Sequence, residues 1–183
     1  VRLPTYEANL LIGCDAVVAA NDMVLNLVNK VTSRAIINDN IDPVGVAGVG
    51  IGSIVDMQVV MSRLSAVMDP ARITRFTISS LANDLLGSTT SSTIIMLGWA
   101  LQKGLIPLGI EAVEKALRLN GTAIDDNLAA LKWGRLLAHD QNRLFACLGI
   151  NEDSDQDVKV MTNPVNAIDY FTEQLQIYND YDN

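Results

Sequence analysis

Residues Leu10–Asn38 read LLIGCDAVVAANDMVLNLVNKVTSRAIIN, and this stretch decides the fold class. Asp15–Ala20 (DAVVAA), following Leu10–Gly13, reads as a short buried strand with a small-residue exit. Asn21 or Asp22 then caps a helix running to about Lys30, because a short side-chain acceptor satisfies the first unpaired amides of a helix. Arg34–Ile37 (RAII) reads as a second strand that ends at Asn38–Asp39–Asn40. Strand, helix and strand at this spacing form a βαβ unit, which implies a right-handed crossover and a parallel sheet.

Outward from that unit the pattern becomes more helical. Pro43–Ser53 (PVGVAGVGIGS) is a glycine-rich loop, and Asp56–Met68 carries Met57, Val60, Met61, Leu64 and Met68 at helical spacing. Pro70 marks a turn, and Ile73–Ile78 (ITRFTI) alternates as a third strand does. Ser79 or Ser80 starts a helix around Leu81–Leu86, with Gly87 as its stop. From Leu85 to Asp140 the helical signal is nearly uninterrupted, with one histidine and no cysteine. Thr90–Lys103 is apolar on nearly every side, the mark of a helix central to a domain or an interface. Gly104 ends it, with Lys103 placed where a cation suits the helix dipole. Ile110–Leu119 follows, closed by Asn120–Gly121, and Ala123–Ala138 offers Leu128, Leu131, Leu136 and Leu137 for burial.

The totals narrow the function classes. At 183 residues the chain is long enough for one domain with a real core, here residues 1–150. A hydrophobic content of 49% and a mean hydropathy of +0.24, with only 19% charged residues, point to many buried elements or to a surface covered in an assembly. Ser92–Leu101 and Val44–Ile54 are the longest apolar runs, short of the roughly 20 residues that span a bilayer, so no membrane role and a cytoplasmic setting are expected. Residues 1–150 hold thirteen acids and twelve bases, whereas 151–183 hold eight acids and one lysine. A near-neutral body with an acidic tail excludes nucleic-acid binding, which depends on clustered Lys and Arg. The tail reads as an acidic linker, Asn151–Lys159, followed by an amphipathic docking helix at Ala167–Tyr178.

Few residues invite chemistry. Cys14 and Cys147 have no CxxC spacing, supply no iron–sulfur or zinc set, and read as buried thiols. Gly48–Val49–Gly50–Ile51–Gly52 is too tightly spaced for GxGxxG and lies several residues past Ile37, so it reads as a packing loop, with a stand-alone nucleotide site as the alternative. His139 beside Asp140 is better placed to cap a helix end than for acid–base work, because neighbours in sequence do not face each other on a helix. The hydroxyls of Thr89–Thr93 read as capping groups. Asn38, Asp39, Asn40 and Asp42 are the best polar cluster, at a strand exit where open α/β sheets place their ligand crevice, though turns use the same residues.

Taken in order, Leu10–Ala20 and Arg34–Asn38 resemble the gamma-type domain of 2-oxoacid:ferredoxin oxidoreductases, and most closely the long fused indolepyruvate ferredoxin oxidoreductase. Leu97–Gly98, Trp99–Ala100, Gln102–Leu105, Pro107–Leu108, Leu119–Gly121, Asn127, Trp133–Arg135 and Ala138–Asp140 continue the resemblance, which covers about residues 8–145. It implies a Rossmann-like, parallel-sheet α/β domain with a helical C-terminal half. It also implies an N-terminal truncation, since the family's opening glycine-rich strand–loop–helix does not precede Tyr6. In such enzymes thiamine diphosphate attacks the 2-keto carbon of an aryl pyruvate, carbon dioxide leaves, electrons pass through iron–sulfur clusters to ferredoxin, and coenzyme A takes the acyl group. The resemblance thus implies thiamine diphosphate and iron–sulfur clusters held outside this chain, and other subunits or domains and ferredoxin as partners. It further implies a homo-oligomer and an isolated chain without activity. Pyruvate, 2-oxoglutarate and branched-chain 2-oxoacids remain alternative substrates, and no catalytic residue is carried over.

Overall fold

The computed structural model describes residues 3–40 and 57–148, apart from the Cys147 side chain. The glycine-rich loop, Asp42 and the acidic tail with its expected docking helix lie outside the described residues. The chain divides into two compact units, Val1–Ser80 and Leu81–Asn183.

The first unit is a three-stranded parallel sheet in the order β1-β2-β3, formed by β1 (Leu10–Gly13), β2 (Arg34–Asn38) and β3 (Ile73–Phe76). Leu10 pairs with Arg34 and Gly13 with Ile37 across the first seam, and Ala35 pairs with Ile73 and Asn38 with Phe76 across the second. β2 is therefore central, and Ala35, Ile36 and Ile37 are almost wholly buried, the all-apolar signature of a parallel strand covered on both faces. Ala35 and Ile37 point to one face, where they meet α1 (Ala16–Ala19), α2 (Asp22–Leu25) and α3 (Met57–Val67) through Ala16, Ala19, Leu25, Val60 and Leu64. Met57 and Met61 are partly buried against the same cluster, as the helical spacing of that segment predicts.

Two expectations for the first unit are corrected. Asp15–Ala20 is not a strand: the strand is Leu10–Gly13, and Ala16–Ala19 is a helical turn. The cause is local. Asp15 Oδ1 accepts from Val17 N at 2.8 Å and Val18 N at 3.0 Å, while Ala16, Ala19 and Ala20 are buried and Val17 and Val18 exposed, a helical period instead of alternation. Gly13 permits the tight exit, since a Cβ there would lie 2.7 Å from Ile37 Cδ1 and 2.8 Å from Ala19 Cβ. The next helix is also shorter than expected. It is capped by Asn21, whose Oδ1 accepts from Val24 N, but it stops at Leu25. Val28 then bridges to Ala8, and the Asn29 side chain accepts from Val31 N and Thr32 N, drawing the chain into a turn.

The second unit is helical. It contains α5 (Ser92–Gln102), α6 (Ile110–Asn120), α7 (Ile124–His139) and α8 (Gln141–Leu148), and α4 (Ile78–Leu86) is the covalent link leading into it. Gly87, Gly104 and Gly121 take φ of +67°, +67° and +73° at the ends of α4, α5 and α6, the left-handed C-terminal geometry that glycine adopts without cost. Lys103 lies 5.6 Å from the Trp99 ring centroid at the end of α5, so this cation meets an aromatic face as well as the helix dipole. Val113, Leu117, Leu128 and Leu131 form a core with Ile94, Leu97 and Leu101 packed on it. Among the described residues no helix is long and apolar enough to cross a membrane.

Candidate functional site

The carboxyl ends of the three parallel strands bring Cys14, Asn38, Asp39, Asn40, Arg75 and the first turn of α4 to one edge of the sheet. Open α/β sheets bind ligands at such an edge, and the expected polar cluster lies on it.

Asn38 is 3% exposed and makes every kind of bond its amide allows. Its Nδ2 donates to the Cys14 carbonyl at 3.2 Å and to Ser79 Oγ at 2.8 Å, and its Oδ1 accepts from Ile78 N at 3.1 Å and Ser79 N at 3.3 Å. Asn40 repeats the arrangement one residue further along α4. Its Oδ1 accepts from Ser79 N at 3.1 Å and Ser80 N at 3.4 Å, while its Nδ2 donates to Ser80 Oγ at 3.1 Å. The two asparagines, at and just past the end of β2, thus cap α4 from some forty residues away and fill the amides that an anion would otherwise use.

Asp39 points elsewhere. Its backbone N donates to the Phe76 carbonyl at 2.9 Å, and Oδ2 lies 3.4 Å from Arg75 Nε. The other oxygen, Oδ1, is buried and has no hydrogen-bond partner. Arg75 is half exposed, so water screens the pair and its contribution to stability is small. Asp42 lies outside the described residues.

Cys14 is exposed at the same edge, a correction to the expectation of a buried thiol: it leaves β1 just where the chain turns into the Asp15-capped helix. Cys147's side chain lies outside the described residues. Among the described residues no group of three or more His, Cys, Asp or Glu could hold a metal ion. His139 is exposed in the last turn of α7, and Asp140 Oδ1 accepts from Arg143 N at 2.9 Å, so the carboxylate serves the start of the next helix.

In the helical unit, α5 and α7 cross at two glycines. A Cβ on Gly134 would lie 2.0 Å from the Ile95 carbonyl oxygen, and one on Gly98 would lie 2.3 Å from that of Leu131. Beside this crossing sits Arg135, 8% exposed, its Nε donating to Gln102 Oε1 at 2.8 Å. Burial pulls its pKa below the usual arginine range, and the Glu114 carboxylate opposes that shift. No local pattern in the sequence marks Arg135 as buried.

Comparison with protein-family models, with curated proteins and with solved structures finds no match to this chain.

Proposed function

We propose that the chain is a non-catalytic, structural and interface domain of gamma type in a thiamine diphosphate-dependent indolepyruvate (aryl 2-oxoacid):ferredoxin oxidoreductase. The observation that supports this reading is that separated segments carrying the resemblance are packing partners. Cys14, from the Leu10–Ala20 segment, accepts a hydrogen bond from Asn38 at the end of the Arg34–Asn38 segment. Gly98, from the Leu97–Gly98 segment, lies so close to the helix that carries Trp133–Gly134–Arg135 that a Cβ on it would come within 3.2 Å of Arg135 N. Residues matched in order along the chain are thus the ones its packing depends on, as a shared domain requires. The Asn38 and Asn40 amides at the sheet edge are engaged in capping α4, which suits a domain that positions others.

On this reading thiamine diphosphate and the iron–sulfur clusters belong to other domains or subunits of an oligomeric enzyme, and ferredoxin is the electron acceptor of the whole. The test is to tag this chain in its source organism, purify the complex that forms around it, and assay 2-oxoacid-dependent reduction of a low-potential acceptor with coenzyme A and thiamine diphosphate. Indolepyruvate or phenylpyruvate should be the best substrate, and the isolated chain should show no turnover. A complex that prefers pyruvate, 2-oxoglutarate or branched-chain acids would move the assignment within the family. One that oxidises no 2-oxoacid would remove it.

A further inference from the structure

Arg135 stands out in the helical unit because its charge is buried and barely matched. A guanidinium carries five N–H donors, and the bond from Nε to Gln102 uses one. Among the described residues, neither terminal Nη nitrogen makes a hydrogen bond or an ion pair. Yet the sealed, unpartnered polar atoms are Asp39 Oδ1 and Trp133 Nε1, with no Arg135 nitrogen among them. The terminal fork is therefore recessed but reachable from outside. An arginine that merely snorkels buries its stem and leaves its head in water, whereas this one is 8% exposed as a whole residue. A buried cation with a single neutral partner is costly, and an added anion removes the cost.

We propose that Arg135 is a carboxylate-binding residue, its guanidinium fork oriented by Gln102 to receive one monoanionic carboxylate through both Nη nitrogens. Three features define the ligand class. The fork is planar and matches two coplanar oxygens, so it suits a carboxylate in bidentate geometry. Gln102 holds Nε, which fixes the plane of the guanidinium and leaves both Nη nitrogens for a ligand. Glu114 acts on Arg135 through space without forming an ion pair with it, and its negative charge repels a phosphate dianion more than a monoanion. A single carboxylate of this kind comes either from a free organic acid or from an Asp or Glu side chain of a partner. This assignment is independent of the family reading.

The experiment follows thermal unfolding of the whole 183-residue chain in sodium acetate against sodium chloride at equal ionic strength, up to about 0.1 M, where a ligand binding only the folded state raises Tm by mass action. Acetate should raise Tm saturably and chloride should not. Arg135→Lys, which keeps the charge but removes the fork, should weaken the apparent affinity at least tenfold. Glu114→Gln removes a repelling charge and should tighten it severalfold, an effect that a purely structural arginine would not produce. If the lysine variant does not fold, the Glu114→Gln comparison decides alone. A capped peptide with one central glutamate distinguishes the sources: tighter binding than acetate assigns the site to a partner side chain, weaker binding to a free acid. An absent acetate response, an unchanged response in Arg135→Lys, an unchanged affinity in Glu114→Gln, or a stronger response to phosphate would each overturn the proposal.

Discussion

Replacing Gly134 with alanine should loosen the helical unit through backbone contact alone. Real Cβ contacts essentially never fall below 3.0 Å, so a methyl 2.0 Å from Ile95 O is at least 1.0 Å too close; at Gly98, 2.3 Å from Leu131 O, the shortfall is 0.7 Å. Both obstacles are carbonyls of the facing helix, which cannot rotate away as a side chain would, so α5 and α7 must move apart. A gap of about 0.5–1 Å forfeits a quarter to a half of each dispersion contact it opens, and overpacking of this kind costs about 1–3 kcal/mol. Alanine returns about 1 kcal/mol through its higher helix propensity. For Gly134→Ala the overpacking term lies at the top of its range, leaving a net loss of about 2 kcal/mol, and Gly98→Ala should lose about half as much. The double variant should lose less than the sum, because one separation of the helices relieves both clashes. The two tryptophans of the chain, Trp99 and Trp133, lie on these two helices, so urea unfolding followed by their fluorescence reports on this crossing. With a urea m-value of about 1–2 kcal/mol per M, the midpoint should fall by about 1–2 M for Gly134→Ala. Gly109→Ala is the control: its φ is −71° and a Cβ there meets nothing, so only its N-cap preference is lost and stability should fall by less than about 1 kcal/mol. A Gly134→Ala chain as stable as the parent would refute the close helix approach.

The sheet edge gives a second outcome. Asn38→Ala removes the side-chain acceptor of the Ile78 amide, one of the two acceptors of the Ser79 amide and the donor to the Cys14 carbonyl, and should cost about 2 kcal/mol, with hydrogen exchange at Ile78 faster than in the parent. Arg75→Ala should cost less than about 1 kcal/mol by chemical unfolding, since the pair with Asp39 is open to water on the arginine side; a larger loss would mean that the carboxylate depends on it. Between α6 and α7 two neighbouring positions should respond in opposite directions. Gly121→Ala forces a Cβ into φ +73° and should lower Tm for a loss of about 1 kcal/mol, whereas Ala123→Gly relieves a φ of +43° and should raise it.

The candidate edge was legible as a place and not as a set of roles. That polar residues gather after a strand of a parallel sheet follows from Arg34–Asn40 alone. That Asn38 and Asn40 reach Ser79 and Ser80 does not, because those partners lie some forty residues away. The misread Asp15–Ala20 segment had a usable signal in the spacing of Ala16, Ala19 and Ala20. Small residues carry so little hydrophobic contrast that the Val17–Val18 pair dominated the pattern.

By itself the sequence determined the βαβ order, the apolar face of α3 and the helix stops at Gly87, Gly104 and Gly121, because each rests on contacts or backbone preferences within a few residues. Only the tertiary structure decided which glycines are needed for close approach. Gly98 and Gly134 sit inside helices where propensity disfavours them, and their reason is the carbonyl of a facing helix. It likewise decided that Arg135 is a buried cation, since Gln102 and Glu114 come from helices that sequence spacing cannot align. Local preference writes the elements into the chain; the burial of a charge or the contact of two backbones exists only once distant segments share a place.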